Sequence, residues 1–134
     1  MLKMTNNRIR NERGQTMTEF ALVLPLLVVL LLGIFQFGVA FNNYVTLTDA
    51  VRAGARKAAV SRNSSDPAGD CRAQVLAAGG GLDQTELGRN LSCTSSWSAG
   101  SDVTVTADYP YAISLLNWNV FSGRFSSTMK ERVE

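Results

Sequence analysis

The sequence contains no histidine. That absence removes imidazole acid–base catalysis, histidine-dependent triads and His-ligated metal sites from consideration. Neither a G-x-S-x-G segment nor a dense carboxylate cluster is present. Asp66, Asp70, Asp83, Asp102 and Asp108 are scattered through polar segments. An anchored hydrolase would lack a recognisable nucleophile and base. No catalytic residue, cofactor or metal is therefore expected. Cysteine is scarce too, with two in 134 residues. The most local absence is charge: from Phe20 to Phe41, "FALVLPLLVVLLLGIFQFGVAF", no residue is ionisable.

That run holds 16 Leu, Ile, Val or Phe residues in 22, enough for a helix to cross a hydrocarbon layer of roughly 30 Å. On insertion scales these side chains favour the membrane by roughly 5–10 kcal/mol, an upper bound. The rest of the chain is too small to wrap such a helix on every side as a buried core helix. A transmembrane segment over about 20–41 follows.

Charge is distributed unevenly around it. The net formal charge is +2, yet residues 1–14 carry Lys3, Arg8, Arg10 and Arg13 against Glu12, a net of +3. The remainder has 9 basic and 10 acidic residues, a net of −1. The basic balance thus reports a short positive flank, and no nucleic-acid partner is expected. Positive flanks stay cytoplasmic, which sends the C-terminal part across. Cys71 and Cys93 both fall on that outer side, where disulfides persist. Joined, they would stabilise a thin-cored domain by about 3 kcal/mol in the chain-entropy model. Two unrelated buried thiols are the alternative.

Residues 1–14 read as a disordered tail, and a helix is expected from about Gln15, with Thr16 or Thr18 as caps. Pro25 falls inside it and should kink it. Beyond the span, "NNYVTLTDAVRAGARKAAVSR" places Tyr44, Leu47, Val51, Ala55 and Ala58 on one face. Ala50, Ala53, Gly54, Ala58 and Ala59 permit close helix approach, while Arg52, Arg56 and Lys57 suit a solvated face. One helix over 15–62 would be roughly 70 Å long. A loop follows at "RNSSDPAGD", then a short helix from about Asp70 to Ala78 stopped by Gly79, Gly80 and Gly81. Strands are expected from Asn90, over "SDVTVTADYPYA" with Pro110 ending it or marking an edge, and over 125–133. Residues 63–134 thus form a small extracytoplasmic α/β domain. Trp97, Trp118, Tyr109 and Tyr111 are expected as core or rim residues. Asn63 and Asn90 begin glycosylation-like triplets, a pattern short enough to arise by chance.

At the seam between tail and span, Gly14 is followed five residues later by Glu19, an aromatic residue and the apolar run. With "DAVRAGARKAA" downstream, residues 13–60 resemble the TadE-like minor pilins and pseudopilins of tight-adherence pilus systems, which are type IV prepilin-like. The resemblance implies an α+β, pilin-like fold: a long N-terminal helix continuing into a domain with a short antiparallel sheet. It implies a structural protein rather than an enzyme. Residues 1–14 would be a cytoplasmic leader, cut between Gly14 and Gln15 by a prepilin peptidase. Glu19 would then meet the new Gln15 amine of a neighbouring subunit. The implied partners are that peptidase, other major and minor pilins, the inner-membrane assembly platform and membrane lipid. The chain would lie in the bacterial inner membrane as a single pass, N-terminus inside, or enter a surface pilus. Two rivals remain. One is an assembly factor that keeps its leader. The other is a secreted protein cut at a small-x-small signal site, Gly38-Val39-Ala40.

Overall fold

The computed structural model describes residues 8–115 and 118–134 of the chain. Residues 1–7, half of the expected leader, lie outside the described residues. The backbone forms a helix α1 (Arg8–Val60), helices α2 (Pro67–Ala78) and α3 (Gln84–Arg89), and strands β1 (Leu91–Thr94), β2 (Asp102–Leu115) and β3 (Trp118–Arg132). This is the α+β arrangement expected: a long N-terminal apolar helix packed against a three-stranded antiparallel sheet, ordered β1-β2-β3.

At 53 residues, α1 is about 80 Å long at the standard rise. It begins at Arg8, ahead of the expected start at Gln15. The tail holds no residue that stops a helix between Arg8 and Gly14, and Thr18 does not cap. Its hydroxyl instead donates to the Gly14 carbonyl at 2.9 Å, one turn back. Pro25 lies within the helix. Its missing N–H leaves the Ala21 carbonyl without its usual donor. At the far end the last carbonyls are satisfied one by one. Ser61 N–H donates to Ala58 at 3.2 Å and its hydroxyl to Lys57 at 2.6 Å. Glu134 N–H, at the end of the sheet, donates to Ala59 at 3.1 Å. These contacts end the helix and tie the last residue of the sequence to it.

Only the upper part of α1 meets the domain. Leu47, Ala50, Val51, Ala55 and Ala58 are buried against Cys71 and Val75 of α2, Val103, Val105 and Ala107 of β2, and Leu82, Leu87, Leu91 and Val133. Small residues let the elements approach closely. A Cβ built on Gly54 would stand 2.2 Å from Val75 Cγ2. Arg52, Arg56 and Lys57 face solvent, and the exposed Arg52–Asp49 pair at 3.5 Å adds little stability.

Side-chain caps set the shorter helices. Asp66 accepts from Gly69 N–H at 2.9 Å with Pro67 in the first helical position, a favoured pairing of cap and φ. Asp83 accepts from Thr85 and Glu86 N–H at 2.9 and 3.0 Å and starts α3. Arg72 reaches from α2 to the carbonyls of Leu91 at 2.6 Å and Gly88 at 3.0 Å. A disulfide joins Cys71 in α2 to Cys93 in β1, closing a loop of 22 residues' separation.

β2 passes through Pro110 without ending, and pairs with β3 from Asp102↔Arg132 to Leu115↔Trp118. β1 covers β2 only between Thr104 and Ala107. Pro110 therefore lies where β2 has a single strand neighbour, so its missing N–H breaks no ladder. The hairpin's outer half extends past the core and lies along α1. There Tyr111 stacks on Phe125 at 4.2 Å, and Phe125 meets Tyr44 of α1 at 5.3 Å. Gly123 opposite Tyr111 leaves room for the ring, whose hydroxyl would stand 2.8 Å from any Cβ there.

Gly54→Val should lower unfolding stability by about 1–3 kcal/mol, because Val75 is branched at Cβ and cannot swing clear. Urea unfolding monitored by circular dichroism in detergent checks this. An unchanged midpoint would show that α1 and α2 are not in close contact there.

Candidate functional site

No metal-binding cluster of three or more Asp, Glu, Cys or His is found among the described residues. What the structure offers is a surface: the lower half of α1, which is largely uncovered among the described residues. Phe20, Leu22, Leu26, Ile34, Phe35 and Phe37 are each more than 60% exposed. Water-soluble domains rarely expose contiguous apolar patches above a few hundred Å². The helix is long and apolar enough to span a bilayer, and its apolar half is not the core of this domain.

At the N-terminal margin of that surface stand Gly14, Gln15 and Glu19, all exposed. Helical spacing brings two of them together. Gln15 Nε2 donates to Glu19 Oε1 at 3.1 Å across one turn. Glu19 is the last carboxylate before the charge-free run, and no acid follows until Asp49. An ionised carboxylate at the bilayer centre costs about 2.5–3.5 kcal/mol on insertion scales, less near the edge. That neutral amide is one donor, and a carboxylate can accept several more hydrogen bonds from water or from a cation.

Gly14 packs against nothing among the described residues. Its backbone is helical, a Cβ added there would meet no atom within 4 Å, and it shows no positive φ. A helix-interior glycine costs about 1 kcal/mol relative to alanine. Here no packing gain offsets it, although Gly33 and Gly38 share that openness. The other positions singled out in the sequence lie elsewhere: Pro25 is a few turns up α1, and Cys71 and Cys93 are in the domain core region.

Residues 14–56 match the family model of TadE-like proteins. Over this stretch α1 is similar to TadE-like proteins. The match opens on Gly14 and runs to Arg56, so it takes in the exposed apolar half of α1 and most of its buried face. This family is linked to tight-adherence pilus assembly and is generally a non-catalytic pilus component. No curated protein and no solved structure matches the chain. The likeness to TadE-like proteins is thus confined to α1, and the α/β domain beyond it lies outside the matched residues.

Two features escape a reading of the sequence alone. The Gln15–Glu19 hydrogen bond has a signal there, the i,i+4 spacing of an amide and a carboxylate. Gln36, the one polar side chain within Phe20–Phe41, pairs with both backbone groups of Ser114. Nothing in the sequence announces that partner, 78 positions away.

Because its surroundings are open, Gly14→Ala should leave the thermal unfolding of the α/β domain unchanged and stabilise α1 locally by up to about 1 kcal/mol. Circular dichroism melting tests this. A lowered melting temperature would reveal a packing role for Gly14.

Proposed function

We propose that the chain is a minor pilin or pseudopilin of a tight-adherence pilus, inserted with its N-terminus inside and cut between Gly14 and Gln15. The observation that carries this reading is a glycine with no packing contact among the described residues, five residues before the last carboxylate ahead of an exposed apolar run, where the family match begins. A peptidase needs close backbone access, and glycine offers it without a side chain. Low helix propensity at Gly14 also makes the turn easier to open.

Cutting there would remove the positive flank and leave an α-amino group on Gln15. In a neighbouring subunit Glu19 would accept that cation, so that an acid at the membrane edge enters a bundle of apolar helices with its charge offset. Only processed chains carry the amine. Docking would therefore select them. The α/β domain would stay outside the cytoplasm, where its Cys71–Cys93 disulfide persists.

The packing of Gln36 to Tyr44 supports a retained span over a removable signal peptide. A cut after Ala40 would take away Gln36 and Phe37, which hold or line the underside of the hairpin. An assembly factor that keeps its leader and never enters a filament is the other reading, and cleavage by the peptidase separates the two.

In cells expressing the prepilin peptidase, Gly14→Ala should accumulate as full-length precursor, read by its slower migration. A normally shortened product would overturn the assignment of the cut. Glu19→Ala should be processed normally yet enter the pilus or its initiating complex poorly, measured as chain recovered in sheared surface fractions. Wild-type recovery would remove the docking role.

A further inference from the structure

The outer half of the β2–β3 hairpin carries a second uncovered apolar surface. Trp118 is 81% exposed, and Val120 and Phe121 are about 60% exposed. The sequence places Trp118 in the core or at its rim; the structure places it in neither. Residues 109–123, "YPYAISLLNWNVFSG", contain no Asp, Glu, Lys or Arg, and are bracketed by Asp108 and Arg124.

The position of this surface along α1 is fixed. Ser114 accepts from Gln36 Nε2 and donates to Gln36 Oε1, so the strand ends lie level with Gln36. Above that contact, Phe37, Ala40, Phe41 and Tyr44 on the helix face Tyr111 and Phe125 on the hairpin around an apolar groove of about 350 Å³. A hydrocarbon layer of roughly 30 Å corresponds to about 20 helical residues. Counted from Glu19, that layer ends near Val39. Gln36 is about 25 Å beyond Glu19 on the same scale. The hairpin end therefore reaches the level of the outer membrane boundary.

We propose that the end of the β2–β3 hairpin, with Trp118, Val120 and Phe121, lies in the outer lipid interface beside its own span, with lipid as the partner. This rests on reading α1 as a span. Three observations select lipid over water or a protein partner. The hairpin's depth is set by its bond to a residue within the span. Charge is absent from both helix and hairpin at that level, since the helix carries none between Glu19 and Asp49. A tryptophan stands at the end, the residue favoured where apolar and hydrated layers meet. The ladder also limits the depth. Beyond Asp108, whose N–H donates to Asn90 at 3.2 Å, β2 is paired on one side only, and unpaired strand edges are not tolerated in hydrocarbon. The hairpin accordingly goes no deeper than the outer margin of the layer, where water still reaches its edge. There it would fix the domain's tilt and height on the membrane.

The test uses the full chain reconstituted in phosphatidylethanolamine–phosphatidylglycerol vesicles, with lipids brominated near the headgroup as quenchers. The two emitters are Trp97, half-buried in the segment after β1, and Trp118. The expected result is co-flotation with vesicles and a lipid-quenchable emission component that W118F loses. Flotation with Trp118 quenched by aqueous iodide and not by lipid would overturn the interface proposal and leave the span intact. Flotation with Trp118 shielded from both quenchers would place a second protein surface over the hairpin and overturn it equally. Failure to float would remove the span itself, and the proposal with it.

Discussion

The structure depends on one constraint: a single unbroken helix must satisfy two surroundings. Its upper part buries Leu47, Ala50, Val51, Ala55 and Ala58 in a protein core. Its lower part presents Leu, Ile, Val and Phe on every side to whatever surrounds it. No loop separates the two regimes, so the domain cannot turn away from the apolar half. Its orientation on the stem is fixed by the small-residue contact at Gly54 and by the capped last turn at Ser61. The disulfide, the Arg72 bridge and the tie from Glu134 to Ala59 hold the sheet to that upper half.

The same constraint gives the lone acid at the seam its meaning. A carboxylate at the edge of an apolar helix is tolerable while water reaches it, as its exposure here allows. It becomes costly once helices pack side by side without water, unless a cation arrives with the neighbour. Among the described residues Glu19 pairs with the Gln15 amide, which is neutral. Under the proposed processing the cut itself supplies that cation, so leader removal and helix packing become one linked event.

Much of the fold is legible in the sequence because its periodicities are local. The 3.6-residue pattern from Leu47 to Ala58 marks the buried face of α1, and the alternation Val103, Val105, Ala107 marks the inward face of β2. Tyr44 belongs to the same stripe but packs on Phe125 outside the core, since the buried section of the sheet ends above it. The short helix α3 is hard to see although Asp83 and Glu86 have the spacing of a capping pair, because its six residues show no apolar period. The length of the hairpin is hidden by Pro110. A proline reads as a strand end or an edge, and where β1 stops decides for the edge. The seam is legible as a linear motif, whereas the openness around Gly14 emerges only in three dimensions. The Gln36–Ser114 contact is invisible in the sequence, being a tertiary pairing of two ordinary polar residues.

The central claim is that proteolysis manufactures the partner of Glu19. Its most direct test is the first residue of the protein recovered from its native host, read by terminal sequencing or intact mass. The account predicts a chain beginning at Gln15. A mature protein that still begins at Met1 would contradict it.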